Sequence, residues 1–195
     1  MNTSQIVALI VVVIAVALAV GIGIWFAGRT KRSKTLREKF GPEYDLTMEK
    51  TGNKRATEPT LGEREKRISQ LDIRDLNPTE RDRYHKEWTE IQANFVDEPS
   101  KSLEKANLLV TEVMMARGFP VADFEQRAAD VSVLYPNVVT NYRHANVIAL
   151  KNQSNEASTE ELRQAMVHYR SLFDELLGTV KVDDVATEDK KEVTQ

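Results

Sequence analysis

The sequence contains no cysteine. That excludes a disulfide framework, a thiolate nucleophile and a thiolate metal site, and it suits either redox environment. No charged residue occurs before Arg29, although 27 Lys and Arg and 30 Asp and Glu follow. The formal charge of -3 therefore belongs to the polar part of the chain, a balance that argues against a general nucleic-acid binder. The H-E-x-x-H zinc pattern, G-x-S-x-G, the phosphate loop G-x-x-x-x-G-K-[ST] and a G-x-G-x-x-G after a strand are all missing. No alternating β pattern outlasts a few residues, and VSVLY at 131–135 is a lone candidate strand with no sheet to join.

One long apolar run is present. Residues 6–28, IVALIVVVIAVALAVGIGIWFAG, are 23 positions without a charge. A helix rising about 1.5 Å per residue over that length crosses a hydrocarbon core of about 30 Å. A cleaved signal peptide has a cationic start and a shorter core, whereas residues 1–5 carry no Lys or Arg, so the expectation is a retained anchor. Arg29, Lys31, Arg32, Lys34, Arg37 and Lys39 crowd its C-terminal side, and Trp25 and Phe26 suit the interface belt there. The positive-inside rule then sets residues 1–5 outside and the following domain in the cytoplasm, at a cell (inner or plasma) membrane. Ala15, Ala19, Gly23 and Ala27 form a small-residue stripe compatible with self-association, although such residues abound in membrane helices. The basic cluster could also recruit anionic lipid, but topology alone accounts for it.

The polar part divides by composition. Apolar residues number 11 of 49 over 29–77, 43 of 100 over 78–177 and 5 of 18 over 178–195, with net charges of +4, -5 and -2. Only the middle hundred can supply a core. The organisation expected is a basic, partly helical neck at 29–77, a helical domain at 78–178 and a disordered acidic tail at 179–195. In the neck, Gly41-Pro42, Gly52, Pro59 and Gly62 predict two broken helices, laid partly along the globule through Leu61, Ile68 and Leu71.

The domain reads as about five helices. Asn77-Pro78-Thr79-Glu80 caps a first helix, about 78 to 96, with Tyr84, Trp88, Ile91 and Phe95 on one stripe. Asp97-Glu98-Pro99 starts a second, whose stripe Leu103, Ala106, Val110, Val113 and Met114 ends at Gly118. A third, about 121 to 132, carries Phe124, Ala128 and Val131. Pro136 opens a fourth with Val138, Val139, Tyr142, Ala145 and Ala149 inward. Ser158 and Glu161 make an S-x-x-E box before Leu162, Ala165, Met166, Tyr169, Leu172, Phe173 and Leu176. The fold class is all-α: an N-terminal transmembrane helix, a broken helical neck and a compact bundle.

Three blocks, REKFGPEYD at 37–45, DFEQRAADVSV at 123–133 and ASTEELRQAMVHYRSLFDELL at 157–177, carry a resemblance. With the apolar N-terminus, they resemble an uncharacterised family of bacterial proteins with a single N-terminal membrane segment. The resemblance covers most of residues 1–178 and implies a bacterial, membrane-associated protein, with no activity, cofactor or catalytic residue attached.

His85, His144 and His168 fall on three different helices, without the repeated Glu-x-x-His pairs of a di-metal bundle. The acidic pairs Glu160-Glu161, Asp174-Glu175 and Asp183-Asp184 read as solvated faces. Arg127, Arg143, His144, His168 and Arg170 lie beside core aromatics. Their simplest role is structural, with Arg stems over the core and carboxylate partners nearby. The sharper reading is a pocket for an acidic or phosphorylated ligand, possible also for an enzyme. No catalytic residue, cofactor or metal is implied. The function expected is a membrane-tethered interaction or scaffold module, held by the bilayer through residues 6–28 and meeting a protein partner there. The orientation has a direct check: a reporter active only outside the cytoplasm, fused after Gln195, is expected to stay silent, and its activity would reverse the topology.

Overall fold

A computed structural model describes residues 33–120 and 122–178, together with Val20. The remainder of the apolar run with Trp25, the flanking Arg29, Lys31 and Arg32, and the tail 179–195 lie outside the described residues. Among the described residues every regular element is a helix, no strand occurs, and no helix is long and apolar enough to cross a membrane. The chain divides into two compact units, Met1–Leu61 and Gly62–Gln195.

In the first unit, residues 33–40 are helical (α1), and Gly41 turns the chain with φ 50° before α2 (Pro42–Thr51). A positive φ suits glycine, and proline suits the first helical position, so Gly41-Pro42 is a built corner. Arg37 donates to Asp45 at 2.9 Å across it, which gives the REKFGPEYD block a structural role. Gly52, left-handed at φ 75°, closes α2 with its N–H on the Met48 carbonyl. Leu36, Phe40, Tyr44 and Leu61 are buried.

α3 (Lys54–Ser69) departs from the expectation of a break. Pro59 and Gly62 both lie inside it. Pro59 is its sixth residue, where a missing N–H forfeits one backbone bond, and an interior glycine costs only about 1 kcal/mol. Against that stand the cap by the Asn53 side chain, which accepts from Ala56 N–H at 2.9 Å, and the burial of Leu61 and Ile68 two turns apart. Leu71, expected to join them, is only half-buried.

The second unit is a helical bundle. It comprises α4 (Pro78–Asn94), α5 (Pro99–Ala116), α6 (Phe124–Leu134), α7 (Val139–Gln153) and α8 (Thr159–Leu177), with the last residues of α3. α8 packs between α5 and α7, α4 lies against α5, and α6 lies against α7. Every apolar residue of the periodic stripe on α8 is buried, as is that on α5. Trp88 of α4 stacks on Phe173 of α8 with ring centroids 4.6 Å apart.

The capping box expected at Ser158 and Glu161 forms, and the expected N-cap at Asn77 is a capping box as well. Asn77 and Ser158 accept from the N–H of Glu80 and Glu161, whose carboxylates return to the cap N–H groups, each at 2.9 Å. Three boundaries differ from expectation. α4 ends at Asn94, so Phe95 is its cap and only half-buried. α6 begins at Phe124 because the Asp123 side chain accepts from Gln126 N–H and caps it, and it runs on through the VSVL of the candidate strand. Pro136 does not open α7; it sits in a turn closed by Val138 N–H on the Tyr135 carbonyl.

The chain between α3 and α4 returns past the end of α5. Arg74 N–H donates to the Arg117 carbonyl at 2.9 Å, and Gly118, at φ 96°, lets the backbones approach. A Cβ there would sit 2.3 Å from the Asp72 carbonyl oxygen. Gly118→Ala is therefore expected to cost about 2 to 4 kcal/mol in urea unfolding, from backbone strain plus displacement of residues 72–73. Gly178→Ala, also at positive φ but with nothing within 4 Å, is expected to cost only about 1 kcal/mol.

Candidate functional site

The five residues of the Arg/His cluster are distributed over three places in the bundle. Arg127, one turn into α6, points inward: its Nε donates to the Tyr142 hydroxyl at 3.2 Å and an Nη to the Ala122 carbonyl at 2.6 Å. Burial pushes the Tyr142 phenol above its ordinary range, against the opposing effect of Arg127. Arg143 donates twice to Glu125, at 3.1 Å each, so the pair joins α6 to α7. Arg170 lies on the exposed side of α8, 3.5 Å from Asp174.

His144 and His168 do meet. Their rings face across the α7/α8 seam with centroids 5.6 Å apart and planes at 61°. The seam is in register on both sides. Three residues back on α7 and three on along α8, Asn141 donates to the Ser171 hydroxyl at 3.1 Å. Seven residues the other way, Lys151 donates to Glu161 at 2.7 Å, and with the Ser158 cap holds that carboxyl down at about 2. His168 is half-buried and holds its proton less tightly than a free histidine, first because of burial and second because of His144.

Periodicity alone did not single out two polar groups of this unit. Arg117 is buried at the end of α5. Its guanidinium donates to the carbonyls of Arg74 and Leu176 at 3.0 and 2.9 Å, to Asp75 at 2.9 Å and to the Tyr135 hydroxyl. Asp130 of α6, 1% exposed, accepts from Arg67 of α3 and from Gln126 at 3.4 Å. Burial, helped by Arg64, lowers the proton affinity of Arg67. A basic residue at the end of a helix, and an acid inside DFEQRAAD, look like surface groups in sequence; only the partners reveal them as buried.

The unit also carries surface depressions. One of about 180 Å³, between α4 and α8, is walled by Phe95, Met166 and Val167 with Arg163 and Arg170 at its rim. A second, of about 290 Å³, lies between α4 and α5, and a third, of about 350 Å³, between α5 and α7. Leu108, 68% exposed, borders both of these. Among the described residues no group of three or more His, Asp and Glu could hold a metal ion. Lys34 of the basic flank lies in the first unit, exposed, 3.8 Å from Glu38.

Scans of protein-family models, curated proteins and solved structures found no match to this chain.

The state of His168 gives the unit a pH dependence. A group that binds protons less well when folded contributes stability that is complete above its unfolded pKa of 6.5 and declines as pH falls below it. The urea midpoint is thus expected to fall between about pH 7.5 and about pH 5.5. Glu80, Glu160 and Glu161, held at about 2, keep their contribution through that window and lose it only below 4.5. His168→Gln is expected to flatten the slope; an unchanged slope contradicts the assignment.

Proposed function

We propose that the chain is a membrane-tethered helical interaction module, without catalytic activity of its own, that presents the outer face of α5 to a protein partner. The tether is residues 6–28, an uncharged run followed by the basic flank from Arg29 to Lys39. A domain confined beside a bilayer meets other membrane proteins at a raised effective concentration. This arrangement has the cytoplasmic orientation and the bacterial origin expected from the flanking charge and from the resemblance.

The observation that carries the reading is Leu108. It stands largely exposed on α5, with a depression on each side of it. Met115, seven residues on and so on the same side of the helix, is 42% exposed. Glu87, Glu90 and Glu112 border the α4/α5 depression and Glu104 the α5/α7 one, against a single Lys105. An apolar centre inside a mainly acidic rim fits an amphipathic helix with basic flanks.

The second reading, an acidic or phosphorylated ligand held by the Arg/His cluster, has less support. Arg127 and Arg143 aim their donors at groups of the same unit, and Arg170 lies on a different side of α8 from the histidine seam. What favours it is the Arg163 and Arg170 rim of the α4/α8 depression, although Arg163 is engaged by Glu160 at 2.7 Å.

The full chain, crosslinked and purified in mild detergent, supplies the test. Leu108→Glu is expected to keep its melting temperature and lose about tenfold of the co-purifying partner, the effect of removing one central apolar anchor. Val147→Glu, exposed on α7 away from both depressions, is expected to retain it. Equal recovery with Leu108→Glu removes this face from consideration.

A further inference from the structure

We propose that His144 and His168 form a two-point clamp for a divalent transition-metal ion that accepts tetrahedral nitrogen ligands, Zn2+ first, and that the bound ion ties α7 to α8. The inference stands on geometry. A zinc–imidazole bond of about 2.1 Å, plus about 1.1 Å from that nitrogen to the ring centre, puts each centroid about 3.2 Å from the metal. Two such rings at the tetrahedral angle have centroids about 5.2 Å apart. The observed separation is 5.6 Å, with the rings edge-on to one another at 61°. Turning the rings about their side-chain torsions, with little change in the distance between their centres, brings one nitrogen of each to the metal.

The two rings come from different helices, and the seam on either side holds them in place. Asn141 bonds Ser171 on one flank, and Lys151 bonds Glu161 on the other. The backbone that presents the ligands is thus fixed before any metal arrives, which lowers the ordering cost of binding. His144 is exposed and His168 half-buried, so the ion has a path in. Among the described residues no third His, Asp or Glu joins them, so the remaining coordination positions go to water. Such a site takes borderline ions with a preference for imidazole, and it excludes Mg2+ and Ca2+, which demand oxygen. Binding needs neutral rings, and the weakened proton affinity of His168 favours that form.

The full chain in mild detergent, unfolded by heat at about pH 7.5 with Zn2+ at about ten times its Kd, is expected to gain a few degrees in midpoint. Mg2+ at the same concentration gives no gain. Calorimetry is expected to find one Zn2+ per chain at this site. His144→Asn, a change at an exposed position, abolishes both signals, as does His168→Asn, while His85→Asn on α4 leaves them intact. The proposal fails if Zn2+ does not raise the wild-type midpoint, or if the rise survives in His144→Asn. These readouts are independent of any partner at Leu108, so the two proposals stand or fall separately.

Discussion

Arg117 is the sole buried guanidinium among the described residues, and the ends of four segments converge on it. Its donors reach the carbonyl of Arg74 in the chain between α3 and α4, Asp75 beside it, the Tyr135 hydroxyl after α6 and the last-turn carbonyl of Leu176 in α8. A charge taken out of water is tolerated only when its donors are met, because the desolvation otherwise dominates. Here they are met by two backbone carbonyls and two side chains, and one of those carbonyls belongs to the final turn of α8 and would otherwise lack a helical partner. Hydrogen bonds from a charged donor contribute about 1.5 to 3 kcal/mol each. The arrangement therefore fixes where α5, α6 and α8 end relative to one another. It does so at the place where Gly118 brings the backbone against Asp72.

Sequence made the helices of the second unit legible because two independent signals coincide there. Apolar residues at three- and four-residue steps mark the buried stripe of α8, and Ser158 with Glu161 marks where it starts. Where only one signal exists the outcome is less certain. Pro59 and Gly62 are breakers by local propensity, but one lost backbone bond does not outweigh the cap at Asn53 and the burial of Leu61 and Ile68. Pro136 has the right type for a helix start, yet the turn after α6 occupies it, because Tyr135 leaves helical geometry at φ -129° and ψ 58°. Local rules rank candidates; packing and side-chain caps choose among them.

The Arg/His cluster was legible as residue types and illegible as an arrangement. Neighbours in sequence diverge by about 100° on a helix, so Arg143 turns to Glu125 on α6 while His144 turns to His168 on α8. The pairing of the two histidines is a tertiary fact, set by the antiparallel register of α7 and α8. That register is visible only once Asn141 with Ser171 and Lys151 with Glu161 are seen to flank them. The same holds for Asp130 and Arg67, more than sixty positions apart in sequence.

Leu108 has no such explanation within the fold. The buried residues of α5, from Ser102 and Leu103 through Ala106, Leu109 and Val110 to Val113 and Met114, fill one arc of the helix, as packing against α4 and α8 requires. Leu108 is two positions beyond Ala106, about 200° around the helix, and lies on the side opposite the centre of that arc. Nothing in the folding of the unit needs an apolar side chain there, and a polar one would hydrate better. Single exposed leucines are ordinary on protein surfaces, but this one stands between two depressions and is followed on the same face by Met115. That surface, at the lip of two grooves, is the one the proposed protein partner would cover.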